Sequence, residues 1–195
     1  MGESRTSGST SGSGVAATSA DDTRAARRHD AREPAIWVLD TNVVLDWLWF
    51  GDPVFAPLKL RLEAALARGL PMLATRADCR IELERVLGYA NLSIDATRRS
   101  AILAAYDAHH AVLAPDSKPN GAQAIPLPAC SDPDVQKFLE VARDAGAEWL
   151  ITRDAALLAL AARVRRTYGF AILEPRAAAA ILRNRDVAVA EASSI

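Results

Sequence analysis

The stretch AIWVLDTN at residues 35–42 decides the fold class of this chain. Apolar, β-forming residues lead directly into Asp40, and two small polar residues, Thr41 and Asn42, follow it. This order is typical of a buried parallel strand that delivers an acid to the carboxyl edge of a sheet, where open α/β folds bind their ligands. A second run of this kind, WLITRD at residues 149–154, comes late in the chain. Two aspartates at strand ends indicate a site built from carboxylates, which usually needs a divalent cation.

Segments rich in β-forming residues alternate along the chain with segments whose apolar residues have helical spacing. Strands are predicted at residues 35–40, 71–75, 112–114, 149–152 and 171–173. Helices are predicted up to about residue 68, over residues 76–89, from Ser93 or Asp95 to about His109, from Asp132, after Asp154 and from Pro175. Loops are predicted around Trp47, Trp49, Phe50 and residues 51–53, and over residues 115–129. The alternation predicts an α/β fold, a three-layer sandwich with a central, mainly parallel sheet flanked by helices.

Length and composition predict one domain with a tail at each end. The first residues are rich in Ser, Gly and Thr and then in Arg and Asp, so we expect residues 1–34 to be a disordered tail. The domain is predicted over residues 35–183, and residues 184–195 are predicted to be a C-terminal tail. Half of the chain is hydrophobic, which is enough to form a core.

Charge and the rare residue types exclude several classes of protein. The net charge is −1, so the field of the whole protein attracts neither nucleic acid nor an acidic membrane, and polyanion binding must depend on local basic patches. Cys79 and Cys130 lack zinc-site spacing and are predicted to be reduced thiols in a cytoplasmic protein. The three histidines do not have the spacing of a metal cage. Neither a membrane span nor a secretory signal is expected.

Five acids fall where a parallel α/β sheet brings side chains to one edge. Asp40 and Asp154 end strands, and Glu82 lies in a helix between Ile81 and Leu83, beside an apolar stripe that is predicted to face the core. Asp132 and Asp134 stand where a helix begins. Carboxylates crowded at one edge repel one another unless a counter-charge is present, and Mg²⁺ or Mn²⁺ supplies that charge and can activate a water molecule. A phosphodiester is the substrate that suits such a site best.

Each acid also has a purely structural interpretation. Asp132 and Asp154 could each be only the N-cap of the helix that follows. Glu82 could form a solvated helix face together with Glu84. Asp40 is the hardest to explain in this way, because an acid that ends a buried strand is costly without a partner.

Four motifs resemble those of the PIN-domain nucleases and come in the same order. They are VLDTN at 38–42, IELERVL at 81–87, CSDPDVQKFLEVA at 130–142 and LITRD at 150–154. The resemblance covers roughly residues 35–183 and is strongest to the branch of toxin components of bacterial toxin–antitoxin pairs. It implies a PIN-like sandwich, an acidic pocket that binds Mg²⁺ or Mn²⁺, and endoribonuclease activity. The implied partners are RNA, a cognate antitoxin protein and a second copy of the chain in a homodimer.

Residue by residue, the resemblance assigns roles to the acids. Asp40, Glu82 and Asp154 match family acids and would coordinate the metal. Asp132 or Asp134 would complete the metal shell or place a water molecule. The polar residues that would hold the acids in place are Thr41, Asn42 and Thr152.

One position departs from the family pattern. The family segment usually reads DPDDxxFLxxA, and the second acid of its DD pair lies seven residues before the helical alanine. Counting back from Ala142 gives Val135, which cannot bind a metal. Asp134 is adjacent, but adjacent helical positions point about 100° apart. Because of this departure, the resemblance does not extend to a second metal ion or to full activity. The fold prediction is unaffected.

These observations support three functional hypotheses. The first is a metal-dependent endoribonuclease of toxin type, and the second is a PIN-like module, degraded at Val135, that binds RNA or a protein partner without cutting. The third is a Mg²⁺-dependent phosphatase of another α/β fold, which is less supported because Asn42 stands where such enzymes usually carry a second acid. Candidate phosphate contacts are Arg76, Arg80, Arg85 and Arg153. Candidates for stacking on bases, or for packing on the first helix, are Trp47, Trp49 and Phe50.

Overall fold

The structure is a computed structural model that describes residues 35–69, 71–114 and 126–192. The predicted N-terminal tail and most of the predicted loop at 115–129 lie outside the described residues. The strands are β1 (Ile36–Leu39), β2 (Met72–Thr75), β3 (His110–Val112), β4 (Trp149–Ile151) and β5 (Ala171–Leu173). The α-helices are α1 (Thr41–Leu45), α2 (Ala56–Leu66), α3 (Ala77–Leu87), α4 (Ala96–His109), α5 (Gln136–Asp144), α6 (Ala155–Ala159), α7 (Ala161–Tyr168) and α8 (Pro175–Ala192). A π-helical turn spans Asp46–Phe50, and 3₁₀ turns span Ala90–Leu92 and Pro133–Val135.

Within the described residues, the five strands form one parallel sheet in the order β3-β2-β1-β4-β5. The central strand β1 pairs with β2 on one side and with β4 on the other, so the direction of the connections reverses between β1 and β4. At such a switch point the carboxyl ends of the strands leave a crevice that commonly binds ligands. Leu39 is paired with Ile151, so the next residues, Asp40 and Thr152, meet at that crevice. The predicted parallel α/β sandwich is confirmed.

The sheet buries side chains on both of its faces. Successive residues of a strand point to opposite faces, so Trp37 and Leu39 of β1 pack on one face and Val38 packs on the other. Helices α1, α2, α3, α4 and α8 cover the first face, with Leu58 and Leu83 fully buried there. Helices α5, α6 and α7 cover the second face. Because both faces are covered, the strands consist of nearly continuous apolar runs.

The segment after β1 differs from its prediction. The sequence predicts a loop around Trp47, but α1 continues into the π-helical turn and ends at Gly51, whose φ of 61° suits glycine. The loop prediction is wrong for residues 46–50, which begin with the buried Asp46 and Trp47, because buried backbone groups need the hydrogen bonds that a helix provides. Residues 51–53 lie outside any helix or strand, as predicted. Trp47 is 3% exposed and therefore cannot stack on a base, whereas Phe50 is 53% exposed.

Helix α3 buries a narrower stripe than the sequence suggests. Cys79, Leu83 and Leu87, which are four residues apart, form its buried face. Ile81 was predicted to face the core together with Leu83, but it is 65% exposed. Two residues correspond to about 200° around a helix, so Ile81 and Leu83 cannot face the same way. Glu82 lies at the border of the buried stripe.

Helix α8 begins at Pro175, as predicted, and continues to Ala192. Helical backbone therefore extends past residue 183, which was the predicted end of the domain. In the ranges that the structure describes, no helix has both the length and the apolar character needed to cross a membrane.

His110 is a buried histidine at the start of β3, two residues before the predicted strand. Its Nδ1 atom donates a 2.8 Å hydrogen bond to the backbone carbonyl of Tyr106, and its ring stacks on the Tyr106 ring at 3.8 Å. The buried Nε2 atom has no hydrogen-bond partner among the described residues. Burial lowers the pKa of His110 to about 4, against the opposing effect of the Tyr106 carbonyl. The fold therefore accommodates the neutral ring.

Acid should destabilise the protein through His110. The folded pKa of about 4 lies below the ordinary value of 6.5, so the stabilising contribution is complete above pH 6.5 and is lost as the pH falls toward 4. The free energy of unfolding should fall by roughly 2–3 kcal/mol over this range from this residue alone. Urea unfolding of the natural chain and of His110→Gln at several pH values measures the difference. If His110→Gln keeps the natural pH dependence, His110 is not its source.

Candidate active site

Asp40 lies at the carboxyl end of β1 and is the N-cap of α1. Only 2% of its surface is exposed. Its Oδ2 atom accepts a 2.6 Å hydrogen bond from the Thr152 hydroxyl, and its Oδ1 atom accepts one of 3.3 Å from the backbone N–H of Asn42. The backbone N–H of Asp40 donates to the carbonyl of Ile151 at 3.1 Å. Residues on both sides of the switch point therefore hold this acid in place.

Burial raises the pKa of the Asp40 carboxyl, because the charged form loses its hydration. The hydrogen bonds from Thr152 and Asn42 oppose this increase, whereas the charges of Asp154 and Glu82 add to it. These two acids are therefore near enough to repel Asp40. A cation among the three carboxyl groups would relieve that repulsion.

Glu82 reaches the site from α3. Its Oε1 atom accepts a 2.8 Å hydrogen bond from the Thr41 hydroxyl, and its Oε2 atom forms an ion pair with the Lys137 ammonium group. The side chains of Glu82 and Lys137 are only 16% and 17% exposed. Lys137 lies in the first turn of α5 and also donates to the backbone carbonyl of Asp134. Both carboxylate oxygens of Glu82 are therefore engaged within the protein.

Asp154 follows β4 and is the N-cap of α6, where its Oδ1 atom accepts a 2.9 Å hydrogen bond from the N–H of Leu157. Its own N–H donates to the Thr152 hydroxyl oxygen at 2.9 Å. The same hydroxyl donates to Asp40, so the fully buried Thr152 connects the two strand-end aspartates. Asp154 is thus a helix cap, and within the described residues no contact is seen for its second carboxylate oxygen.

Asp132 and Asp134 are exposed at the start of the segment that leads into α5. Asp132 caps the 3₁₀ turn by accepting a 2.9 Å hydrogen bond from the N–H of Asp134. Within the described residues, neither side chain contacts the other predicted site acids. The structure therefore connects Asp40 with Asp154 through Thr152, places Glu82 against Thr41, the neighbour of Asp40, and leaves this pair at the surface. Val135 is half-buried and packs against the core of the second face.

Most of the arginines predicted to contact RNA phosphates are held in ion pairs. Three of the four bind two carboxylates each. The pairs are Arg76 with Asp78 and Glu140, Arg80 with Glu84 and Asp107, and Arg153 with Asp46 and Asp52. Arg85 is exposed on α3, and no ion pair is seen for it within the described ranges. It is the arginine of this set with its charge most accessible to a phosphate.

Two mostly buried charged residues, Lys137 beside Glu82 and Asp46 beside Arg153, were not predicted from the sequence. Lys137 belongs to the DPDVQKFLEVA motif, but only the packing of α5 brings its ammonium group to Glu82. Asp46 is 4% exposed, and its carboxylate lies 2.9 Å from the Arg153 guanidinium. Burial raises the pKa of Asp46, and Arg153 opposes the increase. In the sequence, Asp46 could have been noticed as the single acid within the apolar run that follows β1.

The oxygen ligands of this site are chemically suited to Mg²⁺ or Mn²⁺, which prefer carboxylates. The desolvated Asp40 and its two acidic neighbours provide the negative charge that such a cation needs. Within the part of the chain that the structure describes, however, no group of three Asp, Glu, His or Cys side chains is placed to hold a metal ion. Glu82 instead contacts Thr41 and Lys137.

Comparison with known proteins adds one finding. The sequence model of the family described as PIN domain matches residues 37–156. The match covers more than half of the chain and includes β1, α3, α5 and β4, the elements that carry or adjoin the three acids. A comparison with curated proteins found no match.

Proposed function

The chain belongs to the PIN domain family, and we propose that it is a metal-dependent endoribonuclease that hydrolyses RNA phosphodiester bonds. PIN domains are generally nucleases, so family membership supports hydrolysis of nucleic acid at a coarse level. The preference for RNA, the dependence on metal and the toxin role are the finer parts of the proposal.

One observation carries the proposal. At the switch point of the parallel sheet, Thr152 donates to Asp40 and accepts from the N–H of Asp154, and Thr41, the neighbour of Asp40, donates to Glu82. The charges of Asp154 and Glu82 also help to raise the pKa of Asp40. Asp40, Glu82 and Asp154 would hold Mg²⁺ or Mn²⁺, which PIN nucleases typically use. A bound divalent cation supplies Lewis acidity, which lowers the pKa of water and offsets the negative charge that develops on the phosphate.

Two threonines would keep the carboxylates oriented for this task. Thr152 donates to Asp40 at 2.6 Å, and Thr41 donates to Glu82 at 2.8 Å. Hydrogen bonds donated to a carboxylate favour its ionised form, which is the form that binds a cation. Because both hydroxyls are buried or nearly so, the acids need little reorganisation before they bind.

Single-stranded RNA is the substrate proposed for this site. Arg85 lies on the same helix as Glu82 and would contact a backbone phosphate, and the exposed Phe50 ring would stack on an unpaired base. The resemblance to toxin components supports a cognate antitoxin as a protein partner and a cytoplasmic location. A homodimer belongs to the same proposal.

The natural chain should cleave single-stranded RNA in Mg²⁺ or Mn²⁺ and should lose this activity when the metal is removed. The physical reason is that the charge and Lewis acidity of the site reside in the cation. Gel analysis of an end-labelled RNA, with EDTA added and then excess Mn²⁺ restored, measures the effect. DNA of the same sequence tests the preference for RNA. Equal cleavage in EDTA, or none in either metal, would overturn the proposal.

A PIN-like module that binds RNA without cutting it is the second candidate. Val135, which stands where the family pattern has an acid, favours this function, and so does the engagement of Glu82 by Lys137. Fluorescence anisotropy with labelled single-stranded RNA would distinguish the two candidates. Tight binding without cleavage in Mn²⁺ would support the second.

A further inference from the structure

The Lys137–Glu82 ion pair is a feature of the acidic site that the proposed hydrolysis does not use. Both side chains are mostly buried, and the ammonium group is fixed from a second direction by the carbonyl of Asp134. The partners lie far apart in the sequence, on α5 and α3, and those helices contact each other. The lysine is thus placed in this pocket by the tertiary structure.

Stability alone is a weak explanation for this ion pair. Removing two charges from water costs several kcal/mol per ion, and a buried pair often stabilises a fold no better than apolar side chains of the same size. Glu82 also has a hydrogen bond from Thr41 without the lysine. The ammonium group is therefore better explained by the negative charge of the pocket, which it partly neutralises.

The charges of the pocket can be counted directly. Asp40, Glu82 and Asp154 carry −3 when ionised, and in the metal-free protein the Lys137 ammonium group is the cation that offsets part of this charge. The ammonium group occupies the Oε2 atom of Glu82, an oxygen that a cation would need.

We propose that Lys137 is a tethered competitor of the divalent cation, which neutralises Glu82 in the metal-free protein and releases it when the cation binds. This inference rests on the proposed function, because it assumes that the pocket takes a divalent cation. The flexible four-carbon stem of lysine allows the ammonium group to leave without movement of the backbone. The lysine thereby sets the metal concentration at which the site fills.

The test measures Mn²⁺ binding by calorimetry in the natural chain, Lys137→Met and Lys137→Arg. Methionine keeps the stem and removes the charge, so Lys137→Met should bind Mn²⁺ at least about tenfold more tightly, since one unit charge at contact distance is worth more than this factor. Lys137→Arg keeps the charge and should bind like the natural chain. Adding Glu82→Gln to Lys137→Met should abolish the gain.

A purely structural lysine would behave differently. Without metal, Lys137→Met should melt at a lower temperature than the natural chain, because it leaves Glu82 buried with an unpaired charge. A competitor further requires that Mn²⁺ raise the melting temperature of Lys137→Met more than that of the natural chain. A lysine that only stabilises the fold gives the first result without the second.

The natural chain offers a measurement that needs no substitution. Its lysines are Lys59, Lys118 and Lys137, so acetylation of each can be followed by peptide mass spectrometry. Mn²⁺ should accelerate acetylation of Lys137 several-fold relative to Lys59, a more exposed reference. Unchanged labelling, or Mn²⁺ affinity in Lys137→Met equal to or below that of the natural chain, would overturn the competitor role alone. Absence of Mn²⁺ binding in every chain would overturn both this role and the proposed metal site.

Discussion

Replacing Asp40 by Asn should lower the rate of RNA cleavage by about a hundredfold to a thousandfold. Asp40 is the acid at the centre of the site, since it is held by both β1 and β4 and is repelled by two other carboxylates. Asparagine keeps the shape and one oxygen acceptor but removes the charge that binds a cation. Cleavage of single-stranded RNA in Mn²⁺, with initial rates compared at equal protein concentration, measures the loss.

The same substitution should leave the metal-free protein as stable as the natural chain or more stable. The folded pKa of Asp40 is raised above its ordinary value of 3.8, so its favourable contribution is present below pH 3.8 and is lost as the pH rises through the raised pKa. At neutral pH the ionised acid is therefore a cost, and Asp40→Asn removes it. The increase in melting temperature caused by Mn²⁺ should also become smaller.

A matched control is available at Asp95, which also caps a helix. Its side chain accepts a 2.8 Å hydrogen bond from the N–H of Arg98 at the start of α4. Asparagine is an equally good cap, so Asp95→Asn should change neither cleavage nor stability appreciably. If Asp40→Asn cleaves RNA as fast as Asp95→Asn, the proposed active site is wrong.

Replacing Val135 by Asp should increase cleavage, by a factor on the order of 10²–10³ if the missing acid limits the site. Val135 stands where the family pattern has an acid, and the acids beside it are exposed and do not contact the other three in the described residues. A new carboxylate there would add negative charge for the cation. The rates of the natural chain and of Val135→Asp in Mn²⁺ provide the measurement.

The fold should tolerate this change. Val135 precedes α5 as its N-cap but makes no side-chain capping hydrogen bond, and aspartate is a preferred residue at that position. The apolar contacts that the half-buried valine makes with the core are lost, which opposes the gain from capping. Val135→Asn has nearly the same shape without the charge, so it separates the two effects and should not accelerate cleavage.

The result also decides between the two proposed functions. A large gain in Val135→Asp over a weak natural activity would identify the natural protein as a weakened nuclease and would favour the binding function. Robust, metal-dependent cleavage by both proteins would mean that the site is complete without an acid at Val135.

The strand-end acids could be predicted from the sequence because the information is local. An apolar run that ends in an acid specifies a buried strand and places the acid at its carboxyl end, as Asp40 and Asp154 show. The alternation of such runs with helical segments predicted the parallel sheet, which is confirmed. Parallel strands share a carboxyl edge, so the proximity of these two acids followed from the same argument.

Predictions that depended on the tertiary surroundings of a side chain were less reliable. Trp47 was placed in a loop and Ile81 in the core, and both are wrong. Both errors concern which side chains of a helix face the core, and local composition does not determine that orientation. The low pKa of His110 was not predicted either, because it arises from burial in the folded protein, where the nearby rings are those of Tyr106 and Trp47.

The sequence by itself determined the fold class, the strands that carry Asp40 and Asp154, and the departure at Val135, because these depend on short patterns of residues. Only the tertiary structure decided that Glu82 faces Thr41 and Lys137, and that Asp132 and Asp134 remain at the surface. The reason is geometric. A contact between α3 and α5 depends on how both helices are rotated against the sheet, and that rotation is set by the packing of the whole core.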